Sequence, residues 1–392
     1  MALKTSRLKL SKRGTVPPFI VMDVLRAANE RAAAGHAVYH LEVGQPSTPA
    51  PRRVIEAARR ALDQDRLGYT EALGIAPLRR RIAEHYRDWY GVELDPARVI
   101  VTTGSSAAFL LAFLSAFDAG DRVALAAPGY PAYRNILSAL DIEPVLLPVG
   151  ANTRFQPTAE LIDALPGRID GLIVASPSNP TGTMLDRATL AGLAGQCRRR
   201  GIRFVSDEIY HGIVYGDAAT SALEVADDAI VVNSFSKYFS MTGWRLGWLV
   251  LPQDLVRPVE CLAQNLFISP PSLSQHAALA AFDCHDELRR NVQRYAANRA
   301  LLLERLPRAG FERIAPSDGA FYLYAEVDHL TPDSHELCRR MLEETGVAAT
   351  PGTDFDPQRG HRFVRFSFAG ATEDMAAAAE RLARWRALAK PA

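Results

Sequence analysis

From residue 99 onward, short continuous apolar runs alternate with helical segments. The runs "VIVTTGS", "RVALAAP", "EPVLLPV", "GLIVASP", "RFVSDE", "AIVVNSFS" and "WRLGWLVL" are β-branched and bounded by Gly, Pro, Ser or Asp. Their apolar character is continuous rather than alternating, which marks strands covered on both faces. The pattern therefore predicts a mostly parallel sheet flanked by helices. Between the runs, "SAAFLLAFLSAFDAG" predicts a helix stopping at Gly120, and "DRATLAGLAGQCRRRG" one stopping at Gly201. Residues 286–306 read as one long amphipathic helix with Leu288, Val292, Tyr295, Leu302 and Leu306 along one face. The pattern then changes. "GAFYLYAEV", a helix from about Ser334 to Thr345, "HRFVRFSFA" and a final Ala/Arg helix predict a smaller α+β domain. The expected fold class is α/β: a three-layer large domain with a mostly parallel sheet, plus the smaller α+β domain. The boundary falls inside the long helix.

Composition narrows the function classes. A chain of 392 residues is long enough for two domains, and 48% hydrophobic with 23% charged residues is ordinary for a soluble globular protein. A net charge of +1 gives no electrostatic case for nucleic acid or an anionic membrane surface as partner. No apolar run approaches the roughly 20 residues of a membrane span. The first twenty residues carry Lys4, Arg7, Lys9, Lys12 and Arg13 without an apolar stretch, which argues against a secretory signal. A solvated basic arm is expected there in preference to a transit peptide. Cys197, Cys261, Cys284 and Cys338 are scattered, with no CxxC spacing. They are expected to be reduced and structural, with no metal site, in a cytoplasmic protein.

Lysine is nearly absent: between residues 13 and 389 it occurs once, at Lys237 in "SFSKYFSMTGWRLGW". This position lies among polar residues that gather after successive strands, at the sheet edge where ligands bind in open α/β folds. Gly104-Ser105-Ser106 precedes an apolar helix, an arrangement that either binds an anion or simply caps the helix. Tyr130 and Tyr133 follow the next strand, as core or as a stacking platform. Asn179 lies in "SNPTGT", which also reads as an ordinary turn. Asp207 and Tyr210 lie in "DEIY", where a carboxylate caps a helix or holds a cationic ligand atom. Lys237 and Arg245 complete the edge. Pyridoxal 5′-phosphate needs such a set: a phosphate site, a ring stack, an acid for the ring nitrogen, donors for the ring oxygen and a Schiff-base lysine.

"SNPTGT", "DEIY", "SFSKYFSMTGWRLGW" and "VRFSFA" resemble the class I/II aminotransferases of the fold-type-I pyridoxal-phosphate enzymes, in family order and over nearly the whole chain, from "VGQPSTPAP" to "VRFSFA". The resemblance implies a large domain of residues 45–285 and a small domain built from 1–44 and 286–392. It implies that Lys237 forms the internal aldimine with the cofactor. An amine is required there because a guanidinium does not lose its proton near neutral pH. Asp207 would keep the ring nitrogen protonated. Asn179 and Tyr210 would bond the phenolic oxygen, and Tyr130 would stack on the ring. Ser105, Ser106, Ser234 and Arg245 would hold the phosphate, with Ser236 as a further contributor. Tyr69 in "LGYTEALG" would reach the phosphate of a neighbouring subunit, which implies a homodimer. Arg365 would grip the α-carboxylate of the substrate, with Gly44 and Asn179 beside it.

The implied reaction moves an amino group from an L-amino acid to a 2-oxo acid. Ser106 stands where the dicarboxylate-specific bacterial subgroup carries a lysine, which favours a neutral or hydrophobic donor. Phe19, Ile20 and Phe267 are candidate pocket residues, and a core role stands beside that one for each. Fold and cofactor alone leave a C–S β-lyase or an aminocyclopropane-carboxylate-synthase-like enzyme as alternatives, with a non-catalytic effector-sensing domain behind them.

Overall fold

The protein is described by a computed structural model covering residues 8–64 and 67–389. The apolar runs form strands β2 to β8, after a short β1 at Tyr39–His40: β2 Val99–Thr102, β3 Arg122–Ala127, β4 Glu143–Pro148, β5 Gly171–Ala175, β6 Arg203–Asp207, β7 Ile230–Ser234 and β8 Gly247–Val250. Strands β2 to β8 make one seven-stranded sheet in the order β2-β8-β7-β6-β5-β3-β4. The β3–β4, β3–β5, β5–β6 and β6–β7 pairs are parallel, as expected of runs buried on both faces. Strand β8 is the exception, antiparallel to both β2 and β7. The chain returns from β7 to β8 through Phe235–Leu246 with one 3-10 turn and no crossover helix, and a direct return allows only antiparallel pairing.

Apolar side chains cover both faces of this sheet. The helix Gly104–Ala116 buries Ala107, Ala108, Phe109, Leu111, Ala112 and Phe113, so it is apolar around most of its circumference and lies inside the fold. It ends at Ala116 rather than at Gly120. Phe117 adopts an extended backbone (φ −136°, ψ 142°), and its ring fills the space that a side chain on Gly171 would need. The helix Arg187–Arg200 ends as expected: Gly201 takes the left-handed conformation (φ 65°), and Asp186 caps the other end by accepting from Thr189 N–H at 2.7 Å.

The long helix spans His285–Arg305 and buries Leu288, Tyr295 and Leu302. Beyond it lie β9 Arg313–Ile314, β10 Tyr322–Glu326, β11 Val347–Ala348, β12 Thr350–Pro351 and β13 Phe363–Ser367. An antiparallel sheet in the order β12-β13-β10-β9 is flanked by the helices Ser334–Thr345 and Thr372–Ala389. The N-terminal segment joins this part, because β1 pairs with β11. The helix Ile20–Ala33 packs beside β11 and β12. Residues 8–18 of the basic arm are exposed, and Arg13 pairs with Asp141 at 2.6 Å; Lys4, Arg7 and Lys390 lie outside the described residues. Among the described residues no helix is long and apolar enough to cross a membrane.

Gly247 sits where β2, β7 and the helix Gly104–Ala116 converge. A Cβ there would lie 2.9 Å from Asn233 O and 3.0 Å from both Gly104 C and Ser105 N. These are backbone atoms, so the clash is not relieved by a rotamer change. Gly247→Ala is expected to cost about 1–3 kcal/mol, measured by denaturant unfolding of the cofactor-free chain.

Candidate active site

The carboxyl ends of β2, β5, β6 and β7 open onto one cavity of about 360 Å³, closed from the other side by the N-terminal segment, β10 and β13. Ser105 and Ser106 line it from the first turn of the helix Gly104–Ala116. Asn179 lines it from the turn after β5, and Asp207 and Tyr210 from the end of β6. Ser236, Lys237 and Arg245 come from the β7–β8 return, Arg365 from β13, and Gly44 and Tyr130 from loops. The one short return thus supplies an amine, a hydroxyl and a guanidinium to the same space.

Arg245 has a left-handed backbone (φ 51°), which turns its side chain back over the start of the helix Gly104–Ala116. A Cβ on Gly104 would lie 2.3 Å from Arg245 Nη2, so only glycine lets the guanidinium approach the helix N-terminus. Arg245 Nη1 donates to Thr242 O at 2.9 Å. Two serines, a helix N-terminus and a guanidinium therefore surround one end of the cavity, a set suited to a phosphate.

At the other end, Arg365 is buried with its guanidinium 4.4 Å from the Tyr322 ring centroid and 4.6 Å from that of Phe355. It donates to Asn179 Oδ1 at 2.8 Å, to Thr350 Oγ1 at 3.3 Å and to Glu42 O, while its buried Nε finds no partner among the described residues. Tyr210 Oη lies 2.6 Å from Tyr322 Oη. Asp207 is buried and accepts from Ile209 N–H at 3.0 Å and from the Tyr133 hydroxyl. Burial pushes the Asp207 carboxyl up to about 6, against the pull of Tyr133, the Ile209 amide and Lys237.

Lys237 stands between these ends. Its Nζ donates to Gly44 O at 2.5 Å and lies 5.9 Å from the centroid of the Tyr210 ring. Burial pulls its pKa down to about 8, helped by the positive charges of Arg365 and Arg245 and opposed by Asp207. Its neutral, nucleophilic form is therefore abundant slightly above neutral pH.

Other expected residues fall elsewhere. Ser234 does not line the cavity: its hydroxyl donates to Leu246 O at 3.0 Å and accepts from Ser236 N–H at 3.1 Å, and the wall position belongs to Ser236. Tyr69 is 86% exposed and off the cavity. Of the candidate pocket residues, Phe19 lines the cavity with Val21 and Met22, its ring 5.8 Å from that of Tyr130. Ile20 lines a separate groove with Val24 and Leu342, and Phe267 is half-buried against the core. Of the wall tyrosines, Tyr133 stood in the sequence only as core or stacking platform, and Tyr322 carried no assigned role. Tyr133 lies in the first turn of the helix Pro131–Ala139, three positions after the N-cap residue Tyr130. Tyr322 lies inside a strand pattern that gave only its burial.

As a donor set, these groups fit pyridoxal phosphate. There is an anion end, an aromatic wall, a buried carboxylate able to face a ring nitrogen, phenol and amide groups able to reach a ring oxygen, and a half-buried amine of lowered pKa. The comparisons with known proteins agree. A family model, aminotransferase class I and II, matches residues 37–382. The chain is 51% identical over 381 residues to a valine–pyruvate aminotransferase of Mycobacterium tuberculosis, covering 96% of this chain and 98% of that protein. The crystal structure of an aminotransferase from Mycobacterium tuberculosis superposes with a TM-score of 0.95 at 50% identity, over 97% of this chain and 100% of that one. The aspartate aminotransferase of Thermus thermophilus, solved with maleate, gives 0.91 at 32% identity, over 96% and 99% of the two chains. Over nearly its whole length, then, the chain belongs to the class I and II aminotransferases, which move amino groups from amino acids to 2-oxo acids using pyridoxal 5′-phosphate.

Proposed function

We propose that this aminotransferase uses Lys237 as its covalent and proton-carrying residue and takes a neutral or hydrophobic amino acid as donor. The observation that carries the reading is the Lys237 amine, half-buried at the cavity wall between Arg365 and Arg245 and held at 2.5 Å on Gly44 O. Pyridoxal phosphate, when bound, supplies an aldehyde carbon and a cationic ring that accepts the electron pair left as the Cα proton departs. Asp207 is the carboxylate that keeps the ring nitrogen protonated. Asn179 and Tyr210 hold the phenolic oxygen, and Tyr130 packs on the ring face. Ser105, Ser106, Ser236 and Arg245 hold the phosphate, with Ser234 fixing Ser236 from behind.

Arg365 orients the donor by its α-carboxylate. Its planar fork suits a carboxylate, and its two stacking rings fix the plane of the fork. Asn179 and Gly44 flank that carboxylate. Lys237, as a free amine, would remove the donor's Cα proton as general base and, as general acid, return it to the carbon on the far side of the donor nitrogen, two bonds away. Phe19, Val21 and Met22 give this side of the cavity an apolar wall.

Among the described residues, the cations lining the cavity are Lys237, Arg245 and Arg365, and each has a role in the common chemistry. None is left for a carboxylate on the donor's side chain. The 51% identical relative named valine–pyruvate aminotransferase points the same way. We further propose a homodimer in which the exposed Tyr69 reaches the phosphate of the partner subunit, a cytoplasmic location, and a division into a large domain of 45–285 and a small domain of 1–44 with 286–392. The pairing of β1 with β11 supports that division, and the free cysteines suit the location.

Four outcomes are expected. Alanine, valine and leucine should exceed aspartate in kcat/KM by on the order of tenfold or more in a coupled assay of keto-acid release; faster turnover of aspartate would overturn the substrate class. Lys237→Ala should lower kcat at least about 10³-fold, and borohydride reduction followed by peptide mass spectrometry should find cofactor on the Lys237 peptide of the native chain alone. The rate at which the cofactor-free chain captures pyridoxal phosphate should rise with pH through a midpoint near 8 rather than the ordinary 10.5, because only the neutral amine reacts. Arg365→Leu should move that midpoint upward, since it removes a positive charge that disfavours protonation.

A further inference from the structure

The wall formed by Phe19, Val21 and Met22 belongs to the start of the helix Ile20–Ala33, and that start has an unusual anchor. Phe19, at the N-cap, has no side chain able to accept from the first amides. The acceptor comes instead from a residue more than 330 positions away. Asp354 Oδ1 accepts from Ile20 N–H at 3.1 Å and Oδ2 from Val21 N–H at 3.2 Å. One buried carboxylate thus satisfies two of the four amides that a helix N-terminus leaves open, with the helix dipole favouring its charge.

Asp354 is itself fixed to the other side of the cavity. Arg134 Nη2 donates to Asp354 O at 2.6 Å, and Gly129 N–H donates to the next carbonyl, Phe355 O, at 3.1 Å. Gly129 and Arg134 flank Tyr130 and Tyr133 in the chain. Phe355 in turn forms one of the two rings on Arg365. The segment around Asp354 therefore touches the aromatic wall, the carboxylate-binding arginine and the apolar wall at once.

We propose that Asp354 is a specificity-positioning residue: by capping the helix Ile20–Ala33 from across the cavity, it sets how far Phe19, Val21 and Met22 project into the space for the donor's side chain. It touches no reacting atom. Its effect should fall on donors whose side chains reach that wall, such as valine and leucine, and spare alanine, whose methyl does not. The donor series rests on the transamination reading above, whereas the capping itself does not.

The test uses the full chain as native protein, Asp354→Asn and Asp354→Ala. In the cofactor-free state, hydrogen exchange at the Ile20 and Val21 amides should speed up on the order of tenfold in Asp354→Ala and by an intermediate amount in Asp354→Asn, whose amide keeps one acceptor oxygen. In the holoenzyme, KM for valine and leucine should rise by a similar factor in the same order, while kcat and the alanine KM stay within about twofold. Unchanged exchange would overturn the capping role. Faster exchange with a uniform loss across all donors would overturn the specificity role. Absence of transamination by the native holoenzyme with every neutral donor would strike the substrate reading while leaving the exchange result intact.

Discussion

Holding a buried guanidinium at the cavity wall is the constraint on which the rest of this site depends. Taking such an ion out of water costs several kcal/mol unless its donors and its charge are met elsewhere. Around Arg365 the compensation comes from the Glu42 carbonyl, the Asn179 amide oxygen, the Thr350 hydroxyl and the faces of Tyr322 and Phe355. Each of these is thereby fixed in place. Tyr322 then meets Tyr210, and the charge of Arg365 adds to burial in lowering the pKa of the Lys237 amine. One desolvated cation thus organises a buried polar network, a hydrogen-bonded pair of phenols and the lowered pKa of an amine.

The sheet makes this arrangement possible through its one antiparallel strand. A parallel crossover after β7 would carry the chain across a face of the sheet and bring it back at the opposite edge. The direct return to β8 keeps Ser236, Lys237 and Arg245 together at the carboxyl edge. It also seats Gly247 against the start of the helix Gly104–Ala116. The anion end of the cavity is therefore a product of topology, with glycines at 104 and 247 removing the atoms that would keep arginine, strand and helix apart.

Much of this was legible in the sequence because it is local. The seven apolar runs appear as seven strands, and the residues after them fall at one edge, since strand period and turn chemistry are short-range properties. The resemblance to aminotransferases also rests on contiguous motifs. Contacts between distant segments were less accessible. Nothing near Tyr322 announces that its hydroxyl meets Tyr210, and nothing near Phe19 announces that its helix is capped by Asp354. Ser234 and Ser236 alternate in sequence, and only the course of the turn decides which of them faces the cavity. The helix expected to reach Gly120 stops at Ala116 because Phe117 is claimed by the space over Gly171, a residue that no local pattern connects to it.

The close approach at Gly44 also restricts the routes by which this sequence can drift. A Cβ at Gly44 would stand 1.7 Å from Tyr322 Oη and 2.7 Å from Tyr322 Cζ. Losing the hydroxyl alone, as in phenylalanine, leaves the ring carbon in the way. Position 44 can acquire a side chain only after position 322 has given up its ring, and that step strips Arg365 of one of its stacking faces. The two positions are bound in order as well as in space: the intermediate lacks one of the two rings packed on Arg365 whichever residue eventually follows at 44.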